Sequence, residues 1–378
     1  FGSNDIVYRR PTEEQKHHMP LGTAHFIEHK LFEQSWGDAF TKFSQQGASA
    51  NAFTDFQKTA YYFSCQENFY ENLKLLLSFV QHPHFRQEAT EQEKKIIASE
   101  ITMYDDDPNW IVFFQLLENM YHNHTVKNPI AGTVESIQEI SADILQKSYK
   151  AYYTPENFFL VCAGDIDSQK VLELAENTMK STNGHRAVSL FEKEPDTVVK
   201  QYAEKNMSLV KPIFQIGFKQ KAQEDIKSMK QMYLLRMALD ILGGESSSFF
   251  EKAYEKEWIQ EPLGCEFFSG EGYAFTAFSG IGTEPKKTAQ LLLTEIEQIQ
   301  KQGISEEVFE RAKKKQIGRM IRGFDSIYAI CISQLELAMK NRDLFDGFHI
   351  LQSIKKEEVQ RVFQKDFSEN AMTISVVN

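Results

Sequence analysis

Apolar and polar positions follow two periods that alternate along the chain. A period near 3.6 residues predicts amphipathic helices at 68–81 and 141–153. The stretch 47–65, rich in Phe, Thr and Tyr, alternates as a β-hairpin does. A continuous apolar run at 157–167 predicts a buried strand. Helical and strand patterns therefore both contribute to the same region, which is typical of an α+β fold.

The same order of elements recurs near the C-terminus. There a helical pattern runs to the pair Glu369-Asn370 and an apolar strand pattern follows, as happens around Glu156-Asn157. This recurrence predicts two homologous halves. Each half is expected to be a mainly antiparallel sheet with helices packed on one face.

A polar stretch without a clear period separates the halves. We predict a linker at 181–204, between an N-terminal domain at 1–180 and a C-terminal domain at 205–378. The patterns of the second half predict strands at 211–219 and within 265–282, and helices at 228–244, 249–258, 286–302 and 305–321.

The composition is that of a soluble globular protein with an acidic surface. Of the 378 residues 42% are hydrophobic and 25% are charged, and the net charge is −11. Nucleic acids and anionic membranes both attract basic surfaces, so neither is expected as a partner. No apolar run approaches the roughly 20 residues that a membrane-spanning helix needs.

The cysteines indicate the compartment. They stand far apart in the sequence and none forms a C-x-x-C pair, which argues against a cysteine metal site and favours free thiols. Together with the absence of a signal-peptide pattern, this predicts a cytoplasmic location. The four are Cys65, Cys162, Cys265 and Cys331.

Candidate chemistry is concentrated in the sequence LGTAHFIEHKLFE at 21–33. His25, Glu28 and His29 stand at i, i+3 and i+4, so a helix places them on one face. Two imidazoles beside a carboxylate form half of a catalytic zinc site, which needs a third protein ligand and an open position. Glu100, on a second predicted helix, is the best candidate. The alternative is a histidine pair that occurs by chance on a helix surface.

The motif His-x-x-Glu-His is the inverted form of the zinc-protease motif. In this motif, and in four longer stretches that include and follow it, the chain resembles the pitrilysin/insulinase family of metallopeptidases, the inverzincins. The resemblance implies a Zn²⁺ cofactor held by His25, His29 and Glu100, with two catalytic carboxylates, Glu28 as general base and Glu93 in support. The stretches that carry it are GTAHFIEHKLFE, GASANAFTDFQKTAYYF, EKKIIASEITMYDDDP and PIAGTVESI.

The resemblance also implies where substrate binds. The first strand of the predicted hairpin would lie beside the zinc as an exposed sheet edge, to which a peptide substrate adds as a further strand. An ordinary edge strand without this role is the alternative. The residues concerned are Ala50, Asn51, Ala52, Phe53 and Thr54.

The second half departs from the active members of the family. Its counterpart of the metal motif, ALDILGGESSSFF, contains no histidine and cannot repeat the zinc site. Active relatives carry an Arg and a Tyr that grip the substrate carbonyl, and this chain has Tyr254 and Glu261 at those positions. Neither side chain can replace its counterpart, because a phenol has no positive charge and a carboxylate repels a developing oxyanion. We therefore expect a heterodimer in which a homologous subunit supplies the Arg/Tyr pair.

These observations predict a zinc-dependent endopeptidase. It would hydrolyse short or unfolded peptides within a chamber formed by two chains, and Glu28 would take a proton from water and pass it to the leaving amine. One alternative is a non-catalytic scaffold or presequence-binding subunit, although a scaffold has no need of the complete zinc motif. The other is a metal-dependent hydrolase of non-peptide substrates, which requires a small concave pocket rather than an edge strand.

Overall fold

The computed structural model describes residues 1–179, 185–222 and 226–378. By its contacts the chain divides into two compact units. The first unit comprises residues 1–105, 128–158 and 164–192, and the second unit comprises residues 106–127, 159–163 and 193–378. Among the described residues no helix is both long and apolar enough to cross a bilayer.

The elements up to residue 205 follow in chain order. They are β1 (Val7–Arg9), β2 (Lys16–His18), α1 (Thr23–Phe32), β3 (Glu33–Gln34), β4 (Gly37–Asp38), α2 (Ala39–Gln45), β5 (Ala48–Thr54), β6 (Thr59–Cys65), α3 (Phe69–Phe79), α4 (Gln87–Asp105), α5 (Pro108–Met120), α6 (Val134–Gln138), α7 (Ala142–Tyr152), α8 (Ser168–Thr178), β7 (Val188–Ser189) and β8 (Tyr202–Lys205).

The remaining elements all belong to the second unit. They are β9 (Ile213–Gln220), α9 (Ile226–Gly243), α10 (Ser248–Glu255), β10 (Gly264–Gly270), β11 (Tyr273–Ile281), α11 (Pro285–Gln302), α12 (Glu306–Gly323), α13 (Ile327–Ala338), α14 (Leu344–Ser353), α15 (Lys356–Lys365) and β12 (Met372–Val377). Short 3-10 turns occupy Thr125–Lys127, Pro155–Asn157 and Glu369–Ala371.

The second unit contains the larger sheet. Its five strands lie in the order β10-β11-β9-β12-β8, and all neighbours are antiparallel except β12 and β8. The first unit has a three-stranded sheet, β2-β1-β7, the separate hairpin β5-β6 and the small ribbon β3-β4. Both units combine these sheets with helices, which confirms the predicted α+β fold.

The start of α1 depends on a glycine. Gly22 has φ of +85°, and a Cβ at this residue would lie 2.3 Å from the carbonyl oxygen of Ala131. Any other residue is therefore disfavoured both by its backbone conformation and by contact with the 129–132 loop. This close approach fixes the helix that carries the metal motif.

Apolar packing fixes the other side of α1. Phe26, Ile27 and Leu31 are fully buried in the core of the first unit, where Ile97 of α4 also packs. A fully buried side chain of this size contributes about 1.5–3 kcal/mol relative to an exposed one. The helix is therefore held in place by one face while the face with the histidines turns toward α4 and β5.

One predicted strand is wrong. Residues 158–163, in the apolar run at 157–167, form no strand in the structure. Phe159 and Leu160 are 43% and 40% exposed rather than buried. The reason is pairing, since a strand needs a neighbour for its backbone groups and none of the described strands pairs with this segment. The predicted domain limits and the linker at 181–204 remain predictions, and residues 180–184 lie outside the described residues.

Candidate metal centre

The structure brings together the three predicted metal ligands. The rings of His25 and His29, one turn apart on α1, have centroids 4.5 Å apart. Glu100 approaches from α4, with Oε1 3.6 Å from His25 Nε2 and Oε2 3.7 Å from His29 Nε2. All three ligand atoms lie within 4.8 Å of one another, and within the described part of the chain no other group of three such side chains does so.

This donor set fits zinc. Two imidazoles and one carboxylate form one of the ligand sets of catalytic zinc, and ligand atoms about 2.1 Å from a tetrahedral ion lie about 3.4 Å from one another. Each Glu100 oxygen lies close to this distance from one imidazole, Oε1 at 3.6 Å from His25 Nε2 and Oε2 at 3.7 Å from His29 Nε2. A small adjustment of side chains would therefore complete the geometry.

Burial and neighbouring charges shift the pKa values of the two histidines in opposite directions. The pKa of His25 is lowered to about 4, because burial disfavours the imidazolium and His29 repels it. Burial also disfavours a charged His29, but the hydrogen bond and charge of Glu93, with the charges of Glu100 and Glu28, outweigh it and raise its pKa. A neutral imidazole is the form that binds metal, so His25 is ready to bind near neutral pH.

The two histidines differ in their support. His29 Nδ1 lies 3.1 Å from Glu93 Oε1, the usual way in which a carboxylate fixes the tautomer and orientation of a metal-binding histidine. His25 Nδ1 is buried and has no hydrogen-bond partner among the described residues. Glu93 therefore orients one of the two imidazoles.

Glu28 lies on the same helix face, between the two histidines in sequence. It accepts a 2.6 Å hydrogen bond from the hydroxyl of Thr54 on β5 and is 8% exposed. Burial raises the pKa of its carboxyl, and the Thr54 hydrogen bond and the charge of His29 oppose this rise. A buried, oriented carboxylate of raised pKa is suited to accept and return a proton.

Sequence reasoning missed three contacts of this site. The hydroxyl of Tyr104 donates to Glu100 Oε1 at 2.6 Å, and the i, i+4 spacing of the two residues on one helix was a signal for it. Thr54 was predicted to bind substrate, whereas its hydroxyl contacts Glu28. Lys30 is buried against Glu93, and no sequence pattern indicates that contact.

The predicted substrate strand, β5, pairs only with β6 among the described strands. Asp55 N–H donates to Lys58 O at the turn, so by alternation Phe53 and Asn51 face β6, whereas Ala50, Ala52 and Thr54 turn their backbone groups to the open edge. The outward N–H of Ala52 donates to the side chain of Asn51 at 2.8 Å. A peptide that adds to this edge must displace that bond.

The second unit shows both predicted departures at its surface. Tyr254 is 56% exposed on α10, with its ring near Phe250, and Glu261 is also exposed. A phenol and a carboxylate in contact with water offer no fixed positive charge to an oxyanion.

Comparisons with known proteins cover both halves of the chain. Residues 14–134 match the sequence profile described as Insulinase (Peptidase family M16), and residues 139–316 match the profile described as Peptidase M16 inactive domain. The chain is 36% identical to the Bacillus subtilis (strain 168) protein named "Uncharacterized zinc protease YmfH", over 100% of this chain and 89% of that protein. That relative's name supports zinc as the metal that the motif predicts.

Solved structures show the same fold. An M16-like peptidase from Alicyclobacillus acidocaldarius superposes with a TM-score of 0.93 and 31% identity, over 100% of this chain and 90% of that chain. A protease from Helicobacter pylori superposes with a TM-score of 0.84 and 18% identity, over 98% and 93% of the two chains, and this likeness concerns the fold alone.

Proposed function

Because the chain belongs to the insulinase (M16) family of peptidases, we propose that it is a zinc-dependent endopeptidase acting on short or unfolded peptides. The observation that carries this proposal is the convergence of His25, His29 and Glu100 with Glu28 on the same helix face. A scaffold subunit would not need this complete set of ligands and base. The intact set therefore favours the enzyme over the scaffold or presequence-binding subunit.

Each side chain has a separate task in this proposal. His25, His29 and Glu100 hold the zinc, and Glu93 keeps His29 oriented through Nδ1. Bound zinc supplies a Lewis acid that polarises the scissile carbonyl and acidifies water. Glu28 accepts the proton of the attacking water and returns it to the leaving amine, while Thr54 holds the carboxylate in place.

Substrate binding by strand addition belongs to the same proposal. β5 offers the outward backbone groups of Ala50, Ala52 and Thr54, and Thr54 also contacts the general base. A peptide bound along this edge would pass beside Glu28. Recognition through backbone hydrogen bonds makes few demands on sequence, so room for side chains would decide what is cleaved.

The proposal further assigns this chain to a heterodimer. Tyr254 and Glu261 replace the Arg and Tyr of active relatives, and both are exposed rather than held in a binding geometry. A homologous subunit with the Arg/Tyr pair would complete the site within a chamber formed by the two chains. The cytoplasmic location remains a prediction from the dispersed cysteines.

The test replaces the proposed base without changing its size. Glu28→Gln keeps the hydrogen-bonding shape of the side chain but cannot accept the proton, so peptide cleavage should fall about 10²–10⁴-fold. Zinc content, measured by metal analysis, should stay at the wild-type level. Cleavage is assayed with an unstructured peptide library, for the chain alone and mixed with homologous subunits, with and without chelator.

The matched control is Glu71→Gln, an exposed glutamate in the first turn of α3. This variant should match the wild type in zinc content and in cleavage. Near wild-type activity of Glu28→Gln would contradict the assignment of the base. Chelator-resistant cleavage would contradict zinc dependence.

A further inference from the structure

The mechanism above gives no task to Lys30, a buried charge beside the metal centre. The side chain of Lys30, next to His29 on α1, is only 1% exposed. Its ammonium pairs with the carboxylate of Glu33, lies 3.7 Å from Glu93 Oε2 and lies 3.5 Å from the carbonyl oxygen of Ala89. A buried ammonium is costly unless opposite charges compensate it, and here two carboxylates do so.

Glu93 divides its two oxygens between two partners. Oε1 lies 3.1 Å from His29 Nδ1, and Oε2 lies 3.7 Å from Lys30 Nζ. The Glu93 side chain is 15% exposed, so water competes little for either oxygen. The terminal torsion of a glutamate side chain is normally broad, so a free carboxylate rotates easily. Contacts on both oxygens of Glu93 restrict this rotation.

We propose that Lys30 is a positioning residue of the metal centre. Its ammonium holds Glu93 in the orientation that accepts the Nδ1–H of His29, and this orientation aims His29 Nε2 at the ion. The inference rests on the zinc ligation proposed above and assigns to Lys30 a role in metal affinity rather than in folding alone.

The contact of Lys30 with Glu33 lies on the solvent side and does not reach the metal centre. Glu33, the nearer carboxylate, also pairs with Arg86 at 2.7 Å, and the Arg86 side chain is 56% exposed. Glu33 therefore balances the Lys30 charge from the solvent side, whereas Glu93 receives it on the metal side. Only the Glu93 contact leads to a ligand.

The expected size of the effect follows from the number of contacts between Lys30 and the proposed ligand His29. Removing a hydrogen-bond partner of a metal ligand usually costs 10–100-fold in affinity. Lys30 acts one contact farther out, through a partner that stays in place when Lys30 is removed. We therefore expect a loss of about tenfold in zinc affinity, at the lower end of that range.

The chain offers a matched control on α4. Lys94 is also buried, with its side chain 8% exposed, and it pairs with Glu91 at 2.9 Å and with the carbonyl oxygen of Gln138 at 2.9 Å. Neither partner contacts the metal centre. Lys30→Met and Lys94→Met thus remove the same charge from similar surroundings, and only the first changes a contact of Glu93.

The measurements are the zinc dissociation constant, by competition with a chromophoric chelator, the absorption spectrum of the cobalt(II)-substituted protein, and the unfolding midpoint. Lys30→Met should bind zinc about tenfold more weakly and shift the cobalt bands. Lys94→Met should keep both metal properties even where its unfolding midpoint falls. Wild-type zinc affinity in Lys30→Met, or an equal loss in Lys94→Met, would overturn the proposal.

Two double variants separate this role from a structural one. If Lys30 acts through Glu93, Lys30→Met combined with Glu93→Gln should bind zinc no more weakly than Glu93→Gln alone, and additive losses would refute the relay. Should Lys30→Met fail to fold, adding Glu33→Gln removes the charges of both members of the Lys30–Glu33 ion pair, and zinc affinity should still be about tenfold reduced. Wild-type affinity in that variant also refutes it.

The outcomes also distinguish this inference from the function on which it rests. A wild-type chain that binds no zinc would contradict the proposed zinc ligation itself. A wild-type chain that binds zinc, with an unaffected Lys30→Met, would contradict the role of Lys30 alone.

Discussion

The two units contain the same succession of elements, but the side chains that meet between the corresponding helices differ in type and charge. In the first, α1 is followed by α2, the hairpin β5-β6, α3 and α4, and in the second, α9 is followed by α10, the hairpin β10-β11, α11 and α12. On α1, His29 faces carboxylates from α4. On α9, Asp240 pairs instead with Lys315 and Arg319 from α12.

This contrast shows what the shared framework provides and what it does not. In both units a helix and its later partner bring polar side chains together, so the framework supplies proximity. The residue types then decide between a metal centre and an ion-pair cluster, since a carboxylate between two cations has its charge already compensated. Most of the stretch that matches the inactive-domain profile, residues 193–316, lies in the second unit.

The largest effect in this comparison of the two units is expected from replacing the proposed zinc ligands. Replacing His25, His29 or Glu100 by Ala should reduce zinc from about one per chain to near zero, because loss of one of three ligands destroys the site. Asp240→Ala, the matched change in the second unit, should leave zinc content unchanged. Metal analysis of the four purified variants checks this.

Two results would contradict the contrast. Wild-type zinc in all three ligand variants would show that the metal binds elsewhere. Zinc loss in Asp240→Ala would show that the cluster of the second unit takes part in metal binding.

The helical spacing of the first unit predicts that His25, Glu28 and His29 share one face, because that relation is local. Spacing alone does not bring Glu100 to that face, and its place as third ligand was predicted from the resemblance to the inverzincins. The contacts of Thr54 with Glu28 and of Lys30 with Glu93 could not be predicted, since they depend on how β5 and α4 pack against α1. Local periodicity carries no information about such tertiary neighbours.

The wrongly predicted strand at 157–167 has a related cause. Apolar content indicates that a segment will seek contacts, but it does not specify a strand with which to pair. By its contacts the stretch 159–163 groups with the second unit. Strand formation depends on a partner elsewhere in the chain, and a single sequence does not show whether that partner is available.

The next prediction concerns the missing Arg and Tyr of the second unit. The zinc-loaded chain alone should be nearly inactive, because Tyr254 and Glu261 cannot stabilise an oxyanion. Mixing it with a homologous subunit that carries the Arg/Tyr pair should restore peptide cleavage. Replacing that subunit's Arg by Ala should then cost about 2–4 kcal/mol of transition-state stabilisation, measured as kcat/KM.

Robust turnover by the isolated chain would show that the division of labour is wrong. The control is Tyr254→Phe in this chain, which removes a hydroxyl that the proposal gives no task. It should leave the activity of the mixture unchanged.

The smallest expected effect compares the edge strands β5 and β10. Ala52→Pro removes an outward backbone donor, and proline is tolerated at a sheet edge, so zinc binding and folding should persist. Loss of one backbone hydrogen bond should weaken peptide binding by about 0.5–1.5 kcal/mol, roughly two- to tenfold.

Ser269→Pro, on the edge strand β10 of the second unit, is the control and should leave peptide affinity unchanged. Both peptide affinities are measured by calorimetry with Glu28→Gln as the inactive background. An equal loss in both proline variants would indicate general destabilisation, and no loss in Ala52→Pro would mean that substrate does not add to β5 through this residue.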